Sequence, residues 1–499
     1  MPIALNASLA WKQADADQTR LLQALQGNIL KGHGRPFAAH IFFKLDPAKQ
    51  VLSRRALREL ANYQVTNAHQ QLLGTQRFQD TGKSAGGFLH LALSFKGYQA
   101  LGAAASAPAD ADFQGGMKAP GSVTALSDPP VNTWEAAFQQ DLHGVVLVAH
   151  DSAGDTAALT ASVHELLVDA GATVPHVQRG AALRNAAGEG IENFGYVDGR
   201  SQPLLLKEDI QKEAELAGVV RWDPNFPLDT ALVKDPGAPA GDNFSHGSFF
   251  VFRKLEQDVR GFKLREQQVA DVLGLTGDAR ELAGALLVGR FEDGTPVTLS
   301  DTARGKEPPN DFNYVGDAGK RCPFHAHIRK SNPRGSGGAE HEAQERLHLM
   351  VRRGIPYEDV KRTVHPDEVP EAETLAEFNT DVAPLLPTGG VGLLFMAYNN
   401  RIGQQFKFTQ QSWVNANIFP FFPPLAVPPA PPAPPPPPRG IDPVIGQGPL
   451  PLNPGNQALH KRWDDTTSPV VNNATMAGFV KMKGGEYFFS PSLTFLRGL

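Results

Sequence analysis

Apolar positions recur along the chain with two periods, and these sort most of it into strands and helices. Residues 38–45 (Ala-Ala-His-Ile-Phe-Phe-Lys-Leu) and 142–150 (Leu-His-Gly-Val-Val-Leu-Val-Ala-His) are near-continuous apolar runs, the pattern of strands covered on both faces. Residues 87–95 alternate with period two, as a strand does. Helical spacing appears in four places: Leu21, Leu22 and Leu25 within 19–25; Leu52, Ala56, Leu60 and Tyr63 along 51–71; the short stretch 96–101; and Leu159, Val163, Leu166 and Leu167 within 157–170. Residues 103–125 are rich in Ala, Gly and Pro and read as a long loop. The order of strands and helices suggests a ferredoxin-like α+β unit with an antiparallel sheet.

A polar, Asp- and Pro-rich connection at 204–245 shows no periodicity, and a similar run follows it. Strands are expected at 247–255, 347–351 and 391–398, with helices at 259–273, 280–288 and 404–413. The chain is therefore read as two ferredoxin-like units: 1–210, closing with an acid-bearing loop, and 211–418. A proline-rich insert occupies 419–459, and a tail at 460–499 is expected to dock back on the second unit. The tract at 420–438 should be extended polyproline II, acting as a spacer, with a ligand for a partner domain as the sharper alternative.

Composition narrows the classes. A chain of 499 residues is ample for two cores, and 41% hydrophobic with 20% charged residues is ordinary for a soluble protein. A net charge of -5 argues against a dedicated nucleic-acid binder. No stretch approaches the roughly 18 apolar residues of a membrane span. The first residues lack a basic, then apolar, leader, so a cytoplasmic location is expected. The single cysteine, Cys322, excludes an intramolecular disulfide and a Cys-rich zinc or iron–sulfur site, and reads as a packing residue in a Cys-Pro turn.

Three stretches carry candidate chemistry. Residues 321–334 place His325 and His327 two apart, followed by Arg329, Lys330 and Arg334. Histidine is the commonest neutral nitrogen ligand of a metal, haem iron included, and arginine can clamp a carboxylate. Either histidine could be the ligand; on a strand both would face one way, on a helix they diverge. Residues 194–203 hold Asp198 between glycines, followed by Arg200 and Ser201, in a loop where backbone can approach a flat ligand. Residues 349–357 end an apolar strand in Arg352 and Arg353, of which only one can enter a pocket if the strand continues. His33 and His40 read as structural.

Together these stretches resemble the dye-decolorizing peroxidases, a family of haem b enzymes. Gly195-Tyr196-Val197-Asp198-Gly199 matches the family's GxxDG motif, and 322–334 its proximal-histidine segment. The resemblance implies two ferredoxin-like units of the dimeric α/β-barrel superfamily, with haem in the C-terminal one. It implies His327 as iron ligand, Asp198 as distal acid and base, and Arg352 as the distal charge stabiliser. Arg329 is the expected propionate clamp, with Gly199, Arg200 and Ser201 as further contacts, and Leu393 and Phe395 as pocket walls. An acceptor should orient the histidine's other nitrogen; no acid stands in 398–402, so that partner is unassigned. Electrons from bulky donors should enter through a surface aromatic, with Trp413, Tyr398 and Trp463 as candidates.

The expected activity is reduction of hydrogen peroxide to water with oxidation of dyes, phenolics and other organic donors, with no nucleic-acid or membrane partner. A homo-oligomer is compatible with the chain. An aspartate accepts a proton only when ionised, so activity should extend into the acid range. Against this stand a haem-binding or iron-release protein, which would lack Asp198 or Arg352, and a non-enzymatic interaction protein organised by the proline tract. A zinc hydrolase on His325 and His327 lacks a third ligand.

Overall fold

Strong apolar strands from both ends of the chain meet in one antiparallel sheet, seen in a computed structural model that describes residues 3–305, 308–337, 342–420, 439–447, 457–465, 467–472 and 477–499. Its strands are β1 (Phe37–Lys44), β2 (Phe88–Leu93), β3 (Gly144–His150), β4 (Thr173–Ala181), β5 (Val233–Lys234), β6 (His246–Gln257), β7 (Val351–Arg352), β8 (Ile355–Glu358), β9 (Val391–Asn399) and β10 (Val480–Ser490). The hydrogen-bonded order is β8-β9-β6-β10-β2-β3-β1-β4, with β5 paired to β6 and β7 to β9. The late strand β10 lies along β6, and its Phe489 pairs with Leu93 of β2, so strands from before and after residue 210 share the sheet.

The path does not close through a hydrogen-bonded ladder, yet its two edges lie side by side. Gly180 on β4 leaves so little room that an added Cβ would stand 2.8 Å from Ile355 Cγ2 on β8. Gln178 Nε2 also donates to Asp359 Oδ1 at 3.1 Å, just beyond β8. The concave side is packed with rings: Phe42 of β1 and Phe252 of β6 lie 4.9 Å apart at 66°, and Phe42 meets Phe138 edge-on at 5.2 Å. Such edge contacts add to simple burial because ring edges are positive and faces negative.

The helices are α1 (Ala16–Ala24), α2 (Gln50–Tyr63), α3 (Ala68–Thr81), α4 (Ala153–Asp169), α5 (Lys207–Ala217), α6 (Val259–Leu273), α7 (Glu281–Val288) and the short α8 (His327–Ser331). Where one helix is expected over 51–71 there are two. Asn67 caps α3 by accepting from Gln70 N at 2.8 Å while Gln70 Oε1 accepts from Asn67 N at 3.2 Å, a reciprocal box that starts a new helix. The buried stripe of α2 is Ser53, Ala56, Leu57, Leu60 and Ala61; Leu52 and Tyr63 point to solvent. In the expected featureless connection stands α5, a mostly charged helix none of whose residues is buried. The 103–125 loop holds two short helices, Ala111–Gly115 and Pro120–Leu126. The strand expected at 347–351 is reduced to β7, preceded by a turn of helix at Arg346–His348. Among the described residues no helix is long and apolar enough to cross a membrane. The proline tract lies outside the described residues beyond Pro420.

Candidate active site

The histidine segment folds as a turn into α8, with His327 its first residue. A helix advances about 100° per residue, so side chains two apart face nearly opposite ways. This separates His327, which lines a cavity of about 520 Å³, from Arg329, which does not. Arg329 is wholly buried behind α8, bonded to the Asp317 carboxylate at 3.3 Å and the Cys322 carbonyl at 2.5 Å, and lying over the Tyr314 and Phe324 rings. The expected clamp is thus a brace of the segment. His325 is also buried away from the cavity. Burial pushes the Cys322 thiol up to about 12, which keeps it an inert packing residue.

The missing partner of the histidine is Asp442. Its Oδ2 lies 2.8 Å from His327 Nδ1, and its side chain has no solvent exposure. Its Oδ1 accepts from Val444 N at 2.7 Å and Ile445 N at 2.9 Å. A carboxylate so placed makes Nδ1 the protonated nitrogen and leaves the Nε2 lone pair for a ligand. Burial alone would lower the His327 pKa, but the charge and hydrogen bond of Asp442 outweigh it, and the group sits above its ordinary value.

Asp198 is exposed at the same cavity, on a loop held from several sides. Val197 N donates to Glu292 O and Asp198 N to Gly190 O, both at 3.0 Å. Gly195 and Gly199 take φ values of +101° and +80°, which only glycine adopts without strain. Gly199 N donates to Asp198 Oδ1 at 2.6 Å, and among the described residues no hydrogen bond engages Oδ2. Glu192 closes the turn beneath: its carboxylate accepts from Phe194 N (2.9 Å), Tyr196 N (3.1 Å) and Gln257 Nε2 (2.5 Å). Burial is the main cause that pushes this acid up to about 7.

Arg352, at the end of β7, reaches the acid loop directly. Its Nη2 donates to Arg200 O at 3.0 Å and its backbone N–H to Gln202 Oε1 at 3.1 Å. Arg353 is expected in solvent but also lines the cavity, because β7 stops at Arg352 and strict alternation ends there. Its guanidinium clamps the carbonyls of Asn28 (2.8 Å) and Ile29 (3.0 Å). Gly199, Arg200, Ser201, Leu393 and Phe395 line the cavity, the last two from one face of β9.

Two further arginines stand on the cavity wall that the sequence reading leaves without a role. Arg290 and Arg334 are both buried and meet at Ser201 Oγ (3.0 Å from Arg290 Nη2, 2.5 Å from Arg334 Nη2) and Asn310 Oδ1 (2.7 and 3.2 Å). These acceptors are neutral, and burial pushes Arg290 down to about 10 and Arg334 to about 9. Among the described residues no carboxylate hydrogen-bonds to either guanidinium, although the charges of Glu213 and Asp311 act on Arg334, and two cations so placed can receive an anion. Arg334 was visible at the end of the histidine segment; Arg290 had no motif to announce it. Of the aromatics considered for electron entry, Tyr398 and Trp413 are fully buried and only Trp463 is partly open. Among the described residues no three His, Cys, Asp or Glu side chains converge on a metal-sized point; His327 shares the cavity wall with His33, His348, Asp198 and Glu192 as well as with arginines and apolar side chains.

A family model described as the DyP dimeric alpha+beta barrel domain matches residues 24–182. The chain is 45% identical over 506 residues to the multifunctional dye peroxidase DyP2 of Amycolatopsis sp., covering all of both chains. It is 31% identical to peroxidase 2 of Mycetinis scorodonius, over 99% of this chain and 89% of that one. Among solved structures it resembles DyP2 from Amycolatopsis sp. (TM-score 0.86, 43% identity, all of both chains) and the DyP-type peroxidase of Anabaena sp. (TM-score 0.83, 35% identity, 98% and 96% of the chains).

Proposed function

The chain belongs to the dye-decolorizing peroxidase family, and from that premise we propose that it reduces hydrogen peroxide to water while oxidising dyes, phenolics and other organic donors, with haem b in the cavity described above. The observation that carries this reading is that His327, Asp198 and Arg352, drawn from three distant stretches, line one cavity.

The residues present fit haem. The cavity volume is within the range of ligand pockets. His327 has its tautomer fixed by Asp442 and would bind iron through Nε2. Arg290 and Arg334 would hold the propionates, in place of Arg329. Leu393 and Phe395 would wall the ring. The haem, when bound, supplies the iron centre that accepts the oxidising equivalents of peroxide.

The chain's own residues then have distinct tasks. Asp198 Oδ2 takes a proton from one peroxide oxygen and returns it to the other, which leaves as water. The Gly199 N–H on Oδ1 holds the carboxylate's orientation meanwhile. Arg352 donates to oxygen as negative charge develops. Its bond to Arg200 O holds the arginine and the Asp198 loop in one frame. A haem-binding or iron-release protein would need neither group; the presence of both on the cavity wall supports the peroxidase.

The absorption spectrum of purified protein, with and without hydrogen peroxide, tests this for wild type and His327→Ala. A Soret band that shifts with peroxide and is lost or altered in the variant is expected. A wild type without a Soret band after haem is supplied would overturn the reading.

A further inference from the structure

One buried polar cluster next to the cavity is not used by the mechanism above. Tyr398 and His90 are both buried, with the phenol oxygen 3.2 Å from His90 Nε2. Hydrogen positions in this cluster follow from its partners alone. Gly27 O can only accept, so His90 Nδ1, 3.0 Å away, carries the ring proton. Nε2 is then a lone pair. The Asn28 amide is oriented by His33 N, which donates to its Oδ1 at 3.1 Å, so its Nδ2 faces Tyr398 and donates to the phenol oxygen at 3.3 Å. With Asn28 donating to it, the phenol must send its own proton to His90 Nε2. Ser490 Oγ, 2.7 Å from the same nitrogen, also donates there, so the phenol and the serine share its single lone pair in a three-centre arrangement.

A phenol aimed at an imidazole lone pair is arranged to lose an electron and a proton together. The cluster also adjoins the cavity. Asn28 lines it, and Arg353, another wall residue, donates to Asn28 O. In the sheet, Tyr398 pairs with Val351 and its neighbour Ala397 with Arg352.

We propose that Tyr398 and His90 form an internal redox pair, in which Tyr398 gives one electron to the peroxide-oxidised cofactor and passes its phenolic proton to His90 Nε2. The inference rests on the peroxidase reading. The O–H bond of Tyr398 breaks, an N–H bond forms on His90, and the cofactor is reduced by one electron. The products are a neutral phenoxyl radical and an imidazolium. The electron returns by way of the cofactor once a donor at the cavity has reduced it, and the proton goes back along the same hydrogen bond.

The surroundings suit both states. Burial holds the resting phenol well above its ordinary pKa, so it is fully protonated. Burial also pulls His90 down to about 4, so it is neutral and free to accept. A phenol that has lost an electron is a far stronger acid than a resting one, and can protonate such a group. The imidazolium finds an acceptor at each nitrogen: Gly27 O at Nδ1, and Ser490 Oγ at Nε2 once that hydroxyl turns. Because neither residue reaches solvent, the pair holds an oxidising equivalent rather than exporting it to a bulky donor.

The test is freeze-quench electron paramagnetic resonance of the haem-loaded enzyme after peroxide, with no organic donor. The wild type should give a phenoxyl signal that narrows when its tyrosines are ring-deuterated. Tyr398→Phe, which keeps the ring, should lose most of that signal. His90→Gln, which keeps polar bulk but no basic nitrogen, should weaken it. A signal of unchanged size and shape in Tyr398→Phe, or none in the wild type, overturns the pair while the peroxide-induced Soret shift still stands. If the Soret band of the wild type does not respond to peroxide at all, the peroxidase reading falls and the pair with it.

Discussion

His327 Nδ1 is 2.8 Å from Oδ2 of Asp442, an acid whose side chain is fully buried and stands beyond the proline tract. This contact ties the iron-ligand candidate to a segment that its own sequence neighbourhood does not contain. Losing the acid that orients a ligating histidine costs about 10- to 100-fold in metal affinity or activity. Asp442→Ala should therefore weaken haem binding by that order, measured by Soret titration of the apoprotein. Asp442→Asn, which can still accept from Val444 N and Ile445 N, should keep the fold of that turn. Unchanged haem affinity in the alanine variant would contradict the role.

Asp198 and Arg352 should fail differently. General acid–base catalysis contributes about 10²- to 10⁴-fold, and one donor to developing negative charge about 10²- to 10³-fold. Asp198→Asn should lower kcat/KM for peroxide by the first amount and Arg352→Leu by the second, with the haem still bound in each. Stopped-flow measurement of the first reaction with peroxide reads this directly. Full activity in Asp198→Asn would remove the acid from the mechanism.

How far the sequence carried is clearest at these three stretches. The motif residues were legible because each chemistry needs a residue type in a recognisable local frame: glycines around Asp198, an arginine pair closing a strand. Asp442 was not legible, since nothing local distinguishes an acid that meets its partner only through the fold. Arg329 misled because spacing alone does not say whether a histidine opens a helix; once α8 forms, the second residue on turns away from the cavity. Strands with continuous apolar runs, β1 and β3, were read easily, whereas α5, mostly charged and with no buried residue, was passed over as part of a polar connection.

Arg329 and Arg290 can be told apart by experiment. Arg329→Ala removes the buried partner of Asp317 and should cost about 3–5 kcal/mol of stability. Arg290→Ala should instead weaken haem binding by about ten- to hundredfold, the worth of hydrogen bonds to a charged group. Urea unfolding of the apoprotein and Soret titration separate the two effects. A loss of haem affinity from Arg329→Ala at unchanged stability would restore it as the clamp.

Glu192 predicts a slope of stability with pH. The folded protein keeps its proton to about pH 7, while the unfolded chain releases it near the group's ordinary value of 4.5. Between those values unfolding releases a proton, so rising pH favours the unfolded state. The contribution is fully present below pH 4.5 and is lost by pH 7, a change of about 3 kcal/mol for a shift of this size. Glu192→Gln cannot ionise and should lack this component. Urea midpoints of both proteins across that interval check it; parallel slopes would contradict the assignment.

A deeply buried charge pair joins the two halves of the chain. Arg253 of β6 and Asp128, which follows the short helix Pro120–Leu126, have side chains 3% and 0% exposed, and they meet through two hydrogen bonds, Nη1 to Oδ2 at 2.9 Å and a shorter one from Nη2 to Oδ1. The guanidinium also lies 5.4 Å from the Phe406 ring and forms part of the cavity wall. Desolvating both ions cancels much of their attraction, so the pair adds little net stability, but stranding one of them is costly. Asp128→Ala leaves a buried, unpaired cation and should cost about 3–5 kcal/mol by urea unfolding. Replacing both, as Asp128→Leu with Arg253→Met, removes the stranded charge and should recover most of that loss. A single-variant cost below about 1 kcal/mol, the range of exposed pairs, would mean that water reaches Arg253 from the cavity and solvates it there.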